Sequence, residues 1–259
     1  MAHADLSHGF VTVAGCRTSL WRGGAGPPLL FLHGSQGVPA PLPFMHALAG
    51  RFEVLAPEHP GFGRSAVPAW LDDIHDLAYF YLDFLRALDL KDVYLVGQAL
   101  GGWIAAELAV RDCARLARLA LVGATGLQVP QAPTLDVFAL DDAQLADYLF
   151  HDPRLAAGAR QRAAELAGNP VALQNRASLE RLARGCAFSD PQLPKWLHRI
   201  DVPTLLLWGA QDRAVPPAHG RAYAERIPGA RLQLLPACGH LPHVEQAAAY
   251  VAALQDFAA

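Results

Sequence analysis

The sequence of 259 residues predicts an α/β fold: a mostly parallel, eight-stranded sheet with helices on both faces and one helical insertion. Three observations predict it. Short apolar runs alternate along the chain with amphipathic segments of helical period, the pattern of strand–helix–strand units. Several of these runs are apolar at every position, which suits parallel strands covered on both faces better than half-exposed ones. Between about residues 127 and 199 the strand-like runs stop, and Pro-bounded helical segments take their place before the alternation resumes.

The elements follow in order. Residues 10–13 and 18–21 alternate as two short strands around Ala14-Gly15, an opening hairpin. Leu29-Leu30-Phe31-Leu32 is a fully apolar strand running into His33-Gly34-Ser35-Gln36-Gly37. A short helix around 44–49, a strand at 52–55 and the turn-rich loop 57–65 come next. Ile74, Leu77, Ala78, Tyr81, Leu82, Leu85 and Leu88 recur at three- and four-residue steps, so 72–88 is an amphipathic helix. Strands follow at 93–98 and 116–122. Helical segments are expected at 141–150, 153–167, 170–183 and 193–199. The chain closes with a strand at 203–208, a helix near 217–227, a strand at 231–235 and a helix over 244–257. The insertion divides the chain into a core domain, 1–126 with 200–259, and a helical segment, 127–199.

A hydrophobic fraction of 53% is enough for a substantial core. The formal net charge of −3 gives no basic footprint for nucleic acid. No stretch approaches the ~18 apolar residues of a membrane span, and the first five residues lack a signal peptide's basic start and apolar core. A cytoplasmic protein is expected. Cys16, Cys113, Cys186 and Cys238 are scattered, which suits free thiols in a reducing compartment. No metal site is expected, because the histidines form no ligand-spaced group with acids or cysteines. Neither a phosphate-binding glycine loop nor a dinucleotide fingerprint is present, so no cofactor is expected.

The most informative stretch is Gly97-Gln98-Ala99-Leu100-Gly101-Gly102, between a buried strand and a helix. It has the spacing of the G-x-S-x-G elbow, in which small residues permit a strained turn that lifts one side chain off the sheet. The tip of that turn is here Ala99. A methyl group cannot attack a carbonyl. Two further loops belong with it: Asp212 lies just past a buried strand, and His240 lies in Cys238-Gly239-His240-Leu241-Pro242 after the next one. Asp201 is a rival acid, but it precedes its strand and so lies at the wrong end of the sheet.

The order of nucleophile position, acid and histidine resembles that of the α/β-hydrolase superfamily, from about residue 8 to the end of the chain. The resemblance implies an α/β-hydrolase sheet and assigns roles. Ala99 stands at the nucleophile position, where serine is expected. His240 is the base, and Asp212 holds its tautomer and steadies the imidazolium. The backbone amides of Ser35 and Leu100 form the oxyanion hole, with Gly34 permitting close approach. Glu58, His59 and Arg64 resemble the family's structural loop, with Glu for the usual Asp, and His33 is read as a brace. Gln98 and Trp103, which flank the elbow, are read as packing. The insertion resembles a cap, and Phe138, Phe150, Phe188 and Trp196 are candidates for a substrate pocket, with Tyr148 and Leu149 beside them.

Three readings fit the alanine: a serine hydrolase with its nucleophile replaced so that substrate is held intact, a natural non-catalytic ligand-binding protein, and an enzyme whose chemistry does not need the serine. Persistence of Asp212, His240 and the oxyanion loop together favours the first, since binding alone does not require them. Gly-Gln-[Ala]-Leu-Gly-Gly resembles the serine esterase form, so the expected activity is carboxylesterase-type, on a medium-sized apolar ester and without nucleic-acid or membrane partners. Thioesterase and lactonase chemistry share the same machinery. Carbon–carbon bond hydrolases share it too, but they carry His-Gly-x-Gly-Pro-Gly where this chain has His33-Gly34-Ser35-Gln36-Gly37-Val38, which points away from that branch. The sequence does not set the oligomeric state.

Overall fold

The computed structural model describes residues 5–259. Residues 1–4 of the expected core domain, on which the reading of no signal peptide also draws, lie outside the described residues. Eight strands form one sheet: β1 (Leu6–Val13), β2 (Cys16–Gly23), β3 (Pro28–Leu32), β4 (Glu53–Pro57), β5 (Val93–Gln98), β6 (Leu116–Val122), β7 (Thr204–Gly209) and β8 (Arg231–Leu235). Their spatial order is β1-β2-β4-β3-β5-β6-β7-β8. β1 and β2 pair antiparallel, as do β2 and β4, and every later pairing is parallel.

The helices are α1 (Pro43–Ala49), α2 (Ile74–Ala87), α3 (Leu100–Arg111), α4 (Asp142–Leu149), α5 (Pro153–Glu165), α6 (Pro170–Ala183), α7 (Leu193–Trp196), α8 (Pro217–Ala224), α9 (Pro242–Glu245) and α10 (Ala247–Phe257). The expected final helix is two pieces, because Gln246 leaves helical geometry at φ −129° and ψ 47°. The start of α2 is fixed locally: the Asp73 carboxylate accepts from the amides of His75 and Asp76, and Asp76 returns the bond as a capping box.

Side-chain alternation sends successive residues of each strand to opposite faces. Leu30, Leu32, Leu95, Leu119 and Leu121 join one buried cluster with the apolar face of α2, with α3 and with Tyr223 of α8. Leu29, Phe31, Val96, Ala120 and Val122 join a second, with Phe44, Met45 and Leu48 of α1 and Tyr250 and Leu254 of α10. The two cores explain why these strands read as continuous apolar runs.

The chain leaves β3 for β4 on one side, then crosses back to lay β5 on the other. That reversal opens a crevice beyond the carboxyl ends of β3 and β5, where open parallel sheets bind ligands. All the insertion's helices, α4 to α7, lie between β6 and β7 in sequence. Its two ends are tied together: the Gly126 amide donates to the Phe188 carbonyl at 2.8 Å, and Asp190 N donates back to Gly126 O at 3.0 Å.

Behind α3 lies a network that the sequence did not reveal. Glu107 is buried, accepting from Trp103 Nε1 at 3.1 Å and from Arg111 Nη1 at 2.6 Å. Its side chain also lies 3.5 Å from His75 of α2, whose other ring nitrogen is 3.7 Å from Asp190 at the insertion's return. Removing one partner of a buried charge pair leaves the other uncompensated. Glu107→Ala is therefore expected to lower the unfolding free energy by roughly 3 kcal/mol, as measured by urea denaturation.

Candidate active site

The elbow is built by crowding. Ala99, at the junction of β5 and α3, has φ 50° and ψ −112°, a conformation that costs a residue with a Cβ about 1–3 kcal/mol. The neighbouring backbone enforces it. A Cβ on Gly97 would run into the Gly101 carbonyl, and one on Gly101 into the Leu32 carbonyl at the end of β3. A Cβ on Gly102 would lie 2.5 Å from that of Ala124. Four hydrogen bonds then pin residue 99 itself: its amide donates to Val122 O at 2.9 Å, and its carbonyl accepts from Trp103 N at 3.1 Å, Thr125 N at 3.2 Å and Thr125 Oγ1 at 3.4 Å.

Asp212 and His240 converge on this turn from the ends of β7 and β8. His240 Nδ1 lies 2.8 Å from Asp212 Oδ2, with both side chains buried. A carboxylate only accepts, so Nδ1 carries the hydrogen of this bond. The other carboxylate oxygen accepts from the amides of Ala214 at 2.9 Å and Val215 at 2.8 Å, so three donors fix the orientation of the acid. Gly123 gives the pair room, since a Cβ there would lie 3.2 Å from His240 Nδ1 and 3.4 Å from Asp212 Oδ2. Gln98 does more than pack: its amide donates to the His240 carbonyl at 3.1 Å, tying the histidine loop to the residue before Ala99.

The loop after β3 faces the elbow across Gly34, whose position would put a Cβ 3.5 Å from that of Ala99. Among the described residues the amides of Ser35 and Leu100 have no acceptor, and for Leu100 this follows from its place in the first turn of α3. His33 acts as the expected brace. Its Nδ1 donates to Gly34 O at 2.6 Å and its Nε2 accepts from His59 N at 2.9 Å, so the ring is neutral. His59 in turn donates from Nε2 to His33 O at 2.9 Å and accepts from the Tyr81 hydroxyl at 2.5 Å. Burial pushes His33 down to about 4 and His59 well below the ordinary histidine value. Glu58 and Arg64 are structural as expected: the buried Glu58 carboxylate accepts from Arg64 N at 2.8 Å.

The insertion grips the histidine loop directly. His240 N donates to Leu149 O at 2.8 Å. Glu245 accepts from the amides of His151 at 2.9 Å and of Asp152, and also from Gly239 N. Gly239 is required there, because a Cβ would lie 2.6 Å from Leu149 O. Neither Glu245 nor this contact carries a sequence signal.

The four aromatic pocket candidates separate. Phe138 and Phe188 stack at 5.4 Å and line a cavity of about 290 Å³ within the insertion, together with Leu135, Asp136 and Arg184. The guanidinium groups of Arg176 and Arg184 lie over the Phe138 ring at 5.3 and 5.2 Å. Phe150 is instead buried with Leu149, Ala156 and Ala214, and Tyr148 is exposed. Trp196 is a correction: it is 48% exposed, because Leu193 and Leu197 take the buried side of this short turn. His75, Glu107 and Asp190 bring three ligand-type atoms within 4.8 Å of one another. Arg111 already supplies their counter-charge, with Nη2 2.8 Å from His75 Nδ1, so an ion-pair network accounts for them.

The fold and this arrangement define a hydrolase-type site, and the comparisons agree. The model of the alpha/beta hydrolase family matches residues 29–253, and the chain belongs to that family. It is 31% identical to a 2-hydroxymuconate semialdehyde hydrolase of Pseudomonas sp. (strain CF600), over 96% of this chain and 93% of that one. It is 29% identical to a 2-hydroxy-6-oxo-2,4-heptadienoate hydrolase of Pseudomonas putida, over 96% and 95% of the two chains. In fold it is similar to a serine-to-alanine variant of the meta-cleavage product hydrolase of Pseudomonas fluorescens IP01, complexed with acetates. That match has a TM-score of 0.82 and 24% identity over 96% of each chain. Carbon–carbon bond hydrolases thus stand among the relatives despite the altered loop after β3.

Two outcomes follow. Ala99→Gly relieves the strained φ while adding some unfolded-state entropy, so it is expected to stabilise by about 1 kcal/mol, a rise of roughly 2–4 °C in Tm. Below the unfolded-state histidine value of about 6.5 the unfolded chain binds protons that buried His33 and His59 refuse, so stability is lost as pH falls from there toward 4. Thermal melts from about pH 8 to about pH 4 are expected to show this decline, with a shallower slope in His33→Gln.

Proposed function

We propose that this chain is a carbonyl-directed hydrolase of the Ser-His-Asp type whose attacking residue has been replaced by Ala99. The observation that carries this reading is the His240–Asp212 pair at 2.8 Å, set beside an elbow that keeps its strained turn at Ala99. A binding protein needs neither.

With serine at position 99, the hydroxyl oxygen attacks the substrate carbonyl while His240 Nε2 takes its proton. The negative oxygen is received by the amides of Ser35 and Leu100, aided by the positive end of α3. His240 then returns the proton to the leaving group, and water repeats the cycle on the acyl-enzyme. With alanine the substrate binds, but no covalent bond forms. Loss of the nucleophile in such a triad costs roughly 10⁶ in kcat.

The insertion, 127–199, serves as a cap, and the Phe138–Phe188 cavity suits an apolar or aromatic part of the substrate. Carboxylic esters of medium size are the first substrate class, on the strength of the Gly-x-Ser-x-Gly-Gly form. Substrates of the 2-hydroxymuconate semialdehyde kind are the second, favoured by the 31% identical relative.

Ala99→Ser is the test. The variant is expected to gain at least 10³-fold in turnover of p-nitrophenyl butyrate or of 2-hydroxymuconate semialdehyde, and the better substrate decides between the two classes. The unchanged chain is expected to show only traces of activity. An Ala99→Ser protein that binds these compounds without turning them over would establish the receptor reading instead.

A further inference from the structure

We infer that Asn175, on α6 of the insertion, is a positioning residue that sets the oxyanion loop, coupling the seating of the insertion to the geometry that receives the carbonyl oxygen. The inference rests on the hydrolase reading for its catalytic consequence, not for its mechanical one. Asn175 is buried and bridges two core loops with the two ends of its amide. Nδ2 donates to the Gln36 carbonyl at 3.0 Å, and Oδ1 accepts from Gly63 N at 2.8 Å.

Gln36 immediately follows Ser35, so its carbonyl lies two peptide units beyond the Ser35 amide. Three other carbonyls of this loop, those of His33, Gly34 and Val38, are held from within the core domain, the first by His59 Nε2 at 2.9 Å. Gly34 O accepts from His33, and Val38 O accepts from Trp21 Nε1 at 3.0 Å. Among the described residues Gln36 O is held by Asn175. The turn is tight at that point. Gly37 has φ +77°, and a Cβ there would lie 3.1 Å from Asn175 Nδ2 and 3.5 Å from Glu58 Oε1. Neighbouring contacts seat α6 on the core without touching this loop. Ser178 Oγ donates to Gly61 O at 2.5 Å, and Gln174 Nε2 to the same carbonyl at 3.2 Å.

An oxyanion donor aids only when it is aimed where charge develops, so a small rotation of the Ser35 amide reduces kcat more than it changes substrate binding. Asn175→Asp separates the two arms. Aspartate is nearly isosteric and still accepts from Gly63 N, but it cannot donate to Gln36 O. Ser178→Ala is the control for a general loosening of α6.

The experiment has two arms. In the chain as it stands, hydrogen exchange of the peptide spanning about residues 33–38 is expected to accelerate at least tenfold in Asn175→Asp and to be unchanged in Ser178→Ala. In the Ala99→Ser background, Asn175→Asp is expected to lower kcat for p-nitrophenyl butyrate by 10- to 100-fold with KM within about threefold, while Ser178→Ala leaves kcat within about twofold. Unchanged exchange in Asn175→Asp overturns the inference, as does an equal response of Ser178→Ala or an effect on KM alone. Should Ala99→Ser show no turnover, the hydrolase reading fails and the exchange arm still decides the role of Asn175.

Discussion

The structure depends on the close approach of backbones at the carboxyl ends of β3 and β5. Gly97, Gly101 and Gly102 remove the side chains that would otherwise hold α3 away from Leu32 and Ala124. The helix can then begin immediately at the strand's end, and residue 99 has no choice but a positive φ. The strain is local, but the two apolar cores on either face of the sheet maintain it. With alanine at the tip, the turn performs no chemistry of its own. It nonetheless keeps its strained shape, because the enforcing contacts belong to its neighbours.

Around that turn the site is assembled from loops with little regular structure of their own, and each is pinned by hydrogen bonds. Asp212 is fixed by two amides of its own loop. His240 is held at its side chain by Asp212, at its carbonyl by Gln98 and at its amide by Leu149. The loop after β3 is braced by neutral histidines on one side and by Asn175 on the other. Two of these restraints, Leu149 and Asn175, come from the insertion. The helical segment therefore bears on the loops of the candidate site, through hydrogen bonds as well as apolar packing.

The network of buried Trp103 and Glu107 with half-buried Arg111, His75 and Asp190 extends this coupling to the far side of α3. It joins the helix that begins at the elbow, the neighbouring α2 and the return of the insertion. An ion-pair network around a buried carboxylate is a poor source of net stability, since desolvation offsets most of the attraction. Its effect is to fix one arrangement of three elements, because any shift leaves a charge without its partner.

Much of this was legible in the sequence. Strand and helix order followed from periodicity, because burial on both faces of a parallel sheet writes apolar runs that cannot be mistaken for half-exposed strands. The elbow, Asp212 and His240 were legible because the turn, the strand ends and the small neighbours leave local marks. Tertiary structure alone decided which distant groups meet. Asn175 and Glu245 look like ordinary polar residues of helices, Trp196 looked like a pocket residue until α7 turned it outward, and Gln98 looked like packing. The physical reason is range: hydrogen-bond partners 26 to 142 residues apart, as for His33 with His59 and Gln98 with His240, leave no periodicity for a sequence to display.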